Sequence, residues 1–207
     1  MGRRNSGPGY AALRERLAQA AARLMIEGGI QDYGLAKRKA AEKLGVRDLG
    51  ALPSNAQIAA SVAERQRIFE PTVHRRRIDD LRRIALSVMD LLEPFQPRLV
   101  GHVLSGTATE TSTVELHAFS DTPESVAAQL ADHGLMVRDS QHRYRYATNR
   151  VALVPGYRFV HEGADVDVVT FPEKGVREAP LSAVDQRPLR RASRSEVAAL
   201  GDERGLG

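Results

Sequence analysis

The apolar residues of this chain change their repeat once, at Pro94-Phe95-Gln96-Pro97, and that change decides what the chain can fold into. Before it, Tyr10, Leu13, Leu17, Ala21 and Leu24 recur at three- and four-residue steps, as do Ile78, Leu81, Ile84, Val88 and Leu91. That is the spacing of one helix face. After it, "TVELHAF" (113–119), "VPGYRFVH" (154–161) and "ADVDVVTF" (164–171) are short runs rich in β-branched and aromatic residues, the composition of strands. Prolines at 94 and 97 stop a helix from crossing the junction. The expected fold class is therefore α+β, with an N-terminal helical region followed by a mixed β-sheet flanked by helices.

Local signals set the expected boundaries. Residues 1–9, "MGRRNSGPG", read as a flexible leader, and 10–95 as a helical region of four helices. The first ends at Gly28-Gly29, the second runs from Asp32 to Leu44 before Gly45, and the third opens on Ser54 with Gln57 in capping-box spacing. Residues 96–172 form the α/β domain: strand-like "RLVGHVLSG" (98–106) and "TVELHAF", a helix capped by Thr122-Pro123-Glu124, then strands ending in a hairpin across Glu162-Gly163. Residues 173–207 are a Pro- and Arg-rich wrap closed by a short helix that starts at Ser193 with Glu196.

Composition narrows the chemistry. With no Cys among 207 residues, disulfides, thiolate metal sites and cysteine nucleophiles are all excluded. Only four of the 30 basic residues are Lys, so the net charge of +4 is carried by arginine, whose planar fork suits phosphate. An anionic ligand is expected. No apolar run reaches the ~18–20 residues that span a bilayer, and no signal-peptide core follows Arg3 and Arg4, so a cytoplasmic protein without a membrane partner is expected.

A long helix, a strand ending in a glycine turn, a second strand with an acid at alternate positions and a later strand with further acids resemble the nucleotidyltransferase superfamily of the polymerase-beta type. The resemblance covers roughly residues 80–171. Ser105, Gly106 and Thr107 match its phosphate-binding turn, Thr113-Val114-Glu115 stands where that family has Asp-x-Asp or Asp-x-Glu, and Asp165 and Asp167 match its third acid. The stretches "GGIQDYGLAKRKAAEKLG" and "RPLRRAS" also resemble those of a family of short bacterial nucleotidyltransferase-like proteins. The resemblance implies a nucleoside triphosphate as ligand and Mg2+ held by Glu115 and Asp167, with Asp165 as the spare catalytic acid. Thr113 offers only a neutral oxygen, so transfer of a nucleotide to an acceptor is weak or lost. Two readings follow: a metal-dependent nucleotidyltransferase, and a non-catalytic protein that binds a nucleotide or nucleic acid in the same cleft. A muramate–alanine ligase activity gets no support, because the G-x-x-x-x-G-K-[ST] loop of such ATP-dependent enzymes is absent.

Other constellations are weaker. Arg187, Arg190 and Arg191 lie in a proline-bearing loop that either folds back to grip phosphates or stays exposed, tethered by Leu181 and Leu189. Lys37, Arg38, Lys39 and Lys43 crowd one short helix, as a nucleic-acid contact or as a solvated face. His102 and His117 would approach each other if the first two strands pair, but two histidines do not make a zinc site. Ser105 lacks the G-x-S-x-G setting of a hydrolase nucleophile.

Overall fold

The computed structural model describes residues 8–68 and 71–202. The rest of the expected leader, residues 1–7, and the last residues, 203–207, lie outside them. Pro8 and Gly9, assigned to the leader by their composition, instead open α1 (Pro8–Glu27), since proline is tolerated in a first helical turn where its missing N–H has no partner to lose. Then come α2 (Tyr33–Lys43), α3 (Asn55–Ile68), α4 (Pro71–Leu91), β1 (Arg98–Val100), α5 (Gly101–Ser105), β2 (Val114–Phe119), α6 (Pro123–Asp132), β3 (Arg138–Arg145), β4 (Val151–His161), β5 (Ala164–Phe171) and α7 (Arg194–Asp202). This is the α+β class read from the sequence. No helix among the described residues is long and apolar enough to cross a membrane.

The chain divides into two compact units, one running to His74 and including 109–111 and 183–185, the other holding the remainder. The division falls inside α4, whose apolar face (Ile78, Ile84, Ala85, Val88, Met89) belongs to the core of the sheet unit. In the helical unit, α1, α2 and α3 pack through small residues: Ala18, Ala21 and Ala22 on α1 and Ala36 and Ala40 on α2 surround Leu17, Ile58 and Val62. Its caps are those the sequence announces. Asp32 accepts the Leu35 amide at 2.6 Å, Gly45 takes φ +67, and Ser54 and Gln57 exchange bonds of 2.8 and 3.1 Å.

In the second unit the strands lie in the order β1-β2-β5-β4-β3, with β2 and β5 parallel and the other pairs antiparallel. The stretch 98–106, expected as one strand, is a three-residue strand and a short helix. Gly101, at φ +69, ends the strand, and the adjacent Val103 and Leu104 both enter the core, which neighbouring strand residues cannot do on one face. Glu162 and Gly163, at φ 48 and 81, make the expected tight turn between β4 and β5. At the end of the chain, the Ser193 amide donates to Glu196 at 2.7 Å and starts α7.

Alternation gives the sheet two unlike faces. Leu116, Ala118, Val166, Val168, Tyr157 and Phe159 point to one side and meet α4 and α6 through Val88, Val126 and Leu130. Each such fully buried aliphatic side chain stabilises the fold by roughly 1.5–3 kcal/mol. Among the described residues, no long helix of this unit contributes to the apolar cluster of the other face. There a smaller apolar cluster, Phe119, Val154, Val169 and Phe171, continues into charged and polar residues.

Candidate functional site

This second, more polar face is built from residues in register. Glu115 on β2 is the direct partner of Asp167 on β5, which is in turn the partner of Arg158 on β4. Two carboxyls from parallel strands thus stand side by side, 52 residues apart in sequence. On β4, three residues in a row on this side, Ala152, Val154 and Gly156, are small, so the longer side chains of β3 reach over β4 towards β5. A Cβ on Gly156 would sit 2.8 Å from the Ser140 hydroxyl, 2.9 Å from the Val168 carbonyl and 3.4 Å from His142 Cδ2. Glycine is needed here because side chains from β3 occupy the space above it.

Asp167 gains most from that space. Its Oδ2 accepts Arg158 Nε at 2.6 Å, and its Oδ1 meets His142 Nε2 at 3.1 Å and the Ser140 hydroxyl at 3.2 Å. Burial raises the Asp167 carboxyl, but the hydrogen bonds from His142 and Arg158 outweigh it and hold the group below its usual range. Glu115 goes the other way. Burial first, and the neighbouring Asp167 charge second, push its carboxyl up, only partly offset by His142 and Arg158. Its carboxyl lies over Gly101, where an added Cβ would come within 2.9 Å of it. Gly101 therefore serves two needs, a left-handed turn and room for an acid.

Ser140, His142 and Asp167 do not form a nucleophilic relay. A working triad places serine and aspartate on opposite ring nitrogens of the histidine. Here both approach Nε2, at 3.3 and 3.1 Å.

The residues expected from the sequence are distributed unevenly. Glu115 and Asp167 come together as neighbours, while Asp165, two residues earlier on β5, is exposed opposite Val160 at the hairpin end. Thr113 is half-buried and precedes the first residue of β2. Ser105, Gly106 and Thr107 close α5: the amides of Gly106 and Thr107 both donate to the His102 carbonyl, and the Ser105 and Thr107 hydroxyls lie 2.8 Å apart. Those two amides are turned into the protein. The glycine turn beside Glu115 is at Gly101. Of the three arginines, Arg187 and Arg190 are exposed and Arg191 folds onto the sheet, with its guanidinium 4.9 Å from the Phe171 ring centre and 5.1 Å from that of Phe119. The expected approach of His102 to His117 does not occur, because His102 sits on α5 and bonds Thr107 at 3.0 Å while Arg98 faces His117.

Ser140, His142 and Tyr144 on β3 join this face without having been expected from the sequence, and His117 takes other partners than His102. His117 is fully buried, accepts Arg191 Nε at Nδ1 (3.0 Å) and meets the Tyr144 hydroxyl at Nε2 (3.2 Å). Burial, then the positive charges of Arg191 and His142, hold its ring well below the ordinary histidine range. The alternation Ser140-x-His142-x-Tyr144 along one strand was the available signal, since it puts three hydrogen-bonding side chains on one face.

Mg2+ chemistry of the nucleotidyltransferase kind needs several anionic oxygens open to the ions. Asp167 has both oxygens engaged by protein donors, position 113 carries no charge, and no group of three or more His, Asp or Glu among the described residues is placed to hold a metal. The residues present do not fit a two-ion centre. What the face offers is an arginine, Arg158, whose Nε is held by Asp167 and whose side chain is 62% exposed, against 5% for Asp167. No protein-family model, no curated protein and no solved structure matches the chain.

Proposed function

We propose that the chain is a nucleotidyltransferase-like protein that binds a nucleoside triphosphate beside the Glu115–Asp167 face of its sheet, with transfer chemistry weak or lost. The observation that carries this reading is the parallel register of Glu115 with Asp167 beside the left-handed Gly101, an acid pair at a glycine turn on the face of the sheet opposite Leu116 and Val168. Loss of chemistry follows from what holds Asp167. A guanidinium bonded at 2.6 Å supplies fixed positive charge where an active transferase needs a mobile metal. Arg158, exposed beyond its bond to Asp167, then contributes to phosphate recognition as a charge-assisted donor.

Calorimetric titration with the four nucleoside triphosphates, in Mg2+ and in chelator, tests the reading. At least one should bind in both conditions, with Glu115→Gln leaving the affinity within about twofold and Arg158→Met lowering it roughly tenfold. Binding that requires Mg2+ and disappears in Glu115→Gln would instead establish a metal-dependent enzyme. Silence from all four nucleotides would remove the proposal.

A further inference from the structure

The side chains of Arg191, His117 and Tyr144 form a directed chain of hydrogen bonds across this face of the sheet. Arginine carries donors only, so the 3.0 Å contact from Arg191 Nε fixes His117 Nδ1 as an acceptor. A neutral His117 must then carry its hydrogen on Nε2, and at 3.2 Å that hydrogen is donated to the Tyr144 oxygen. The polarity of the chain is set from one end. Arg191 is itself held: its Nη1 donates to the Gly175 carbonyl at 2.7 Å, and its plane rests against Phe119 and Phe171. His117 is clamped by the same ring, 4.5 Å from Phe171, and meets Tyr144 edge-on at 5.6 Å and 84°.

Because the Tyr144 oxygen receives the His117 hydrogen, its own O–H hydrogen points elsewhere, and no described residue accepts it. Tyr144 is half-buried on the same strand face as Ser140 and His142, within electrostatic reach of Glu115 and Asp167. We infer that the Tyr144 hydroxyl is a hydrogen-bond donor to an anionic oxygen of the bound ligand, a phosphate oxygen if the ligand is a nucleoside triphosphate, and that Arg191 is a positioning residue acting through His117. The second half reassigns Arg191, read from the sequence as a phosphate contact, to orienting a buried ring. The inference rests on the nucleotide-binding reading above and adds a donor and its direction to it.

Two measurements separate the failure of the inference from that of the reading. Two-bond 1H–15N correlation spectra of the unliganded wild-type protein at neutral pH should show His117 as the neutral ring with hydrogen on Nε2. A hydrogen on Nδ1 would overturn the relay whatever the protein binds. Arg191→Met should release the ring to a mixture of the two forms. If that variant does not fold, the wild-type spectrum alone decides the point. In parallel, ATP titration of Tyr144→Phe should give a Kd raised about five- to tenfold, the loss of one donor to a charged acceptor. Wild-type affinity in that variant would overturn the donor role while leaving nucleotide binding intact. If ATP and the other nucleoside triphosphates fail to bind the wild type, the reading falls and the donor role falls with it, even if His117 shows the expected form.

Discussion

Replacing Gly156 by alanine tests the idea that the Glu115–Asp167 face depends on one vacant position in β4. Elsewhere in an extended strand, a glycine-to-alanine change gains ~0.5–1 kcal/mol by restricting the unfolded chain. Here the new Cβ would meet the Ser140 hydroxyl at 2.8 Å and the Val168 carbonyl at 2.9 Å. The hydroxyl can rotate away, at the cost of its bond to Asp167, worth ~1 kcal/mol. The carbonyl cannot, because it belongs to the backbone of β5, a strand paired on both sides. Relieving that contact requires β4 and β5 to shift, an overpacking cost of ~1–3 kcal/mol. The net expectation is destabilisation by about 2 kcal/mol. Native-state hydrogen exchange of β4 and β5 amides reads this unit directly, and a thermal scan should show a fall of ~3–5 °C per kcal/mol. Gly201 in α7 is the control, since nothing lies within 4 Å of its added Cβ and alanine there should stabilise by about 0.5 kcal/mol. Gly156→Ala as stable as wild type, or both variants falling together, would refute the reasoning.

Two acids on this face should respond to pH in opposite senses. Asp167 is held below its usual range, so its contribution is present at neutral pH and is lost only as pH falls through its depressed folded value; Arg158→Met should cost ~1–3 kcal/mol at pH 7 and progressively less as pH is lowered through that value, by urea titration across an acid pH series. Glu115 is pushed up, so the stability it contributes is present below its unfolded value of ~4.3 and lost as pH rises; Glu115→Gln should exceed wild type at pH 7 and match it at pH 4. Gly101→Ala should destabilise by ~1–2 kcal/mol from its positive φ alone, and more from the Cβ set 2.9 Å from the Glu115 carboxyl. Combining it with Glu115→Ala should recover about 1 kcal/mol in a double-mutant cycle, and strict additivity would count against the close contact.

What the amino-acid sequence determined by itself is whatever is settled within about four residues. The Ser54–Gln57 and Ser193–Glu196 caps, the stop at Gly45 and the Glu162-Gly163 turn are local hydrogen bonds or dihedral requirements, and each stands where the residues announce it. The α+β order is equally local, because hydrophobic period depends on near neighbours alone. Even the misreading of 98–106 came from a local ambiguity: short apolar runs fit strand and helix alike until Gly101 bends the chain and the core takes Val103 and Leu104 together. The site was legible only as candidates. Glu115 and Asp167 were visible as acids on strands, but their pairing required β2 and β5 to be parallel neighbours in one register, since a slip of one residue would send either side chain to the other face. Tertiary structure alone brought Ser140 and His142 over Gly156 to Asp167, and Arg191 across 74 residues of sequence to His117. Those contacts depend on strand order and on the absence of a side chain at one position, and neither leaves a periodic trace in the sequence.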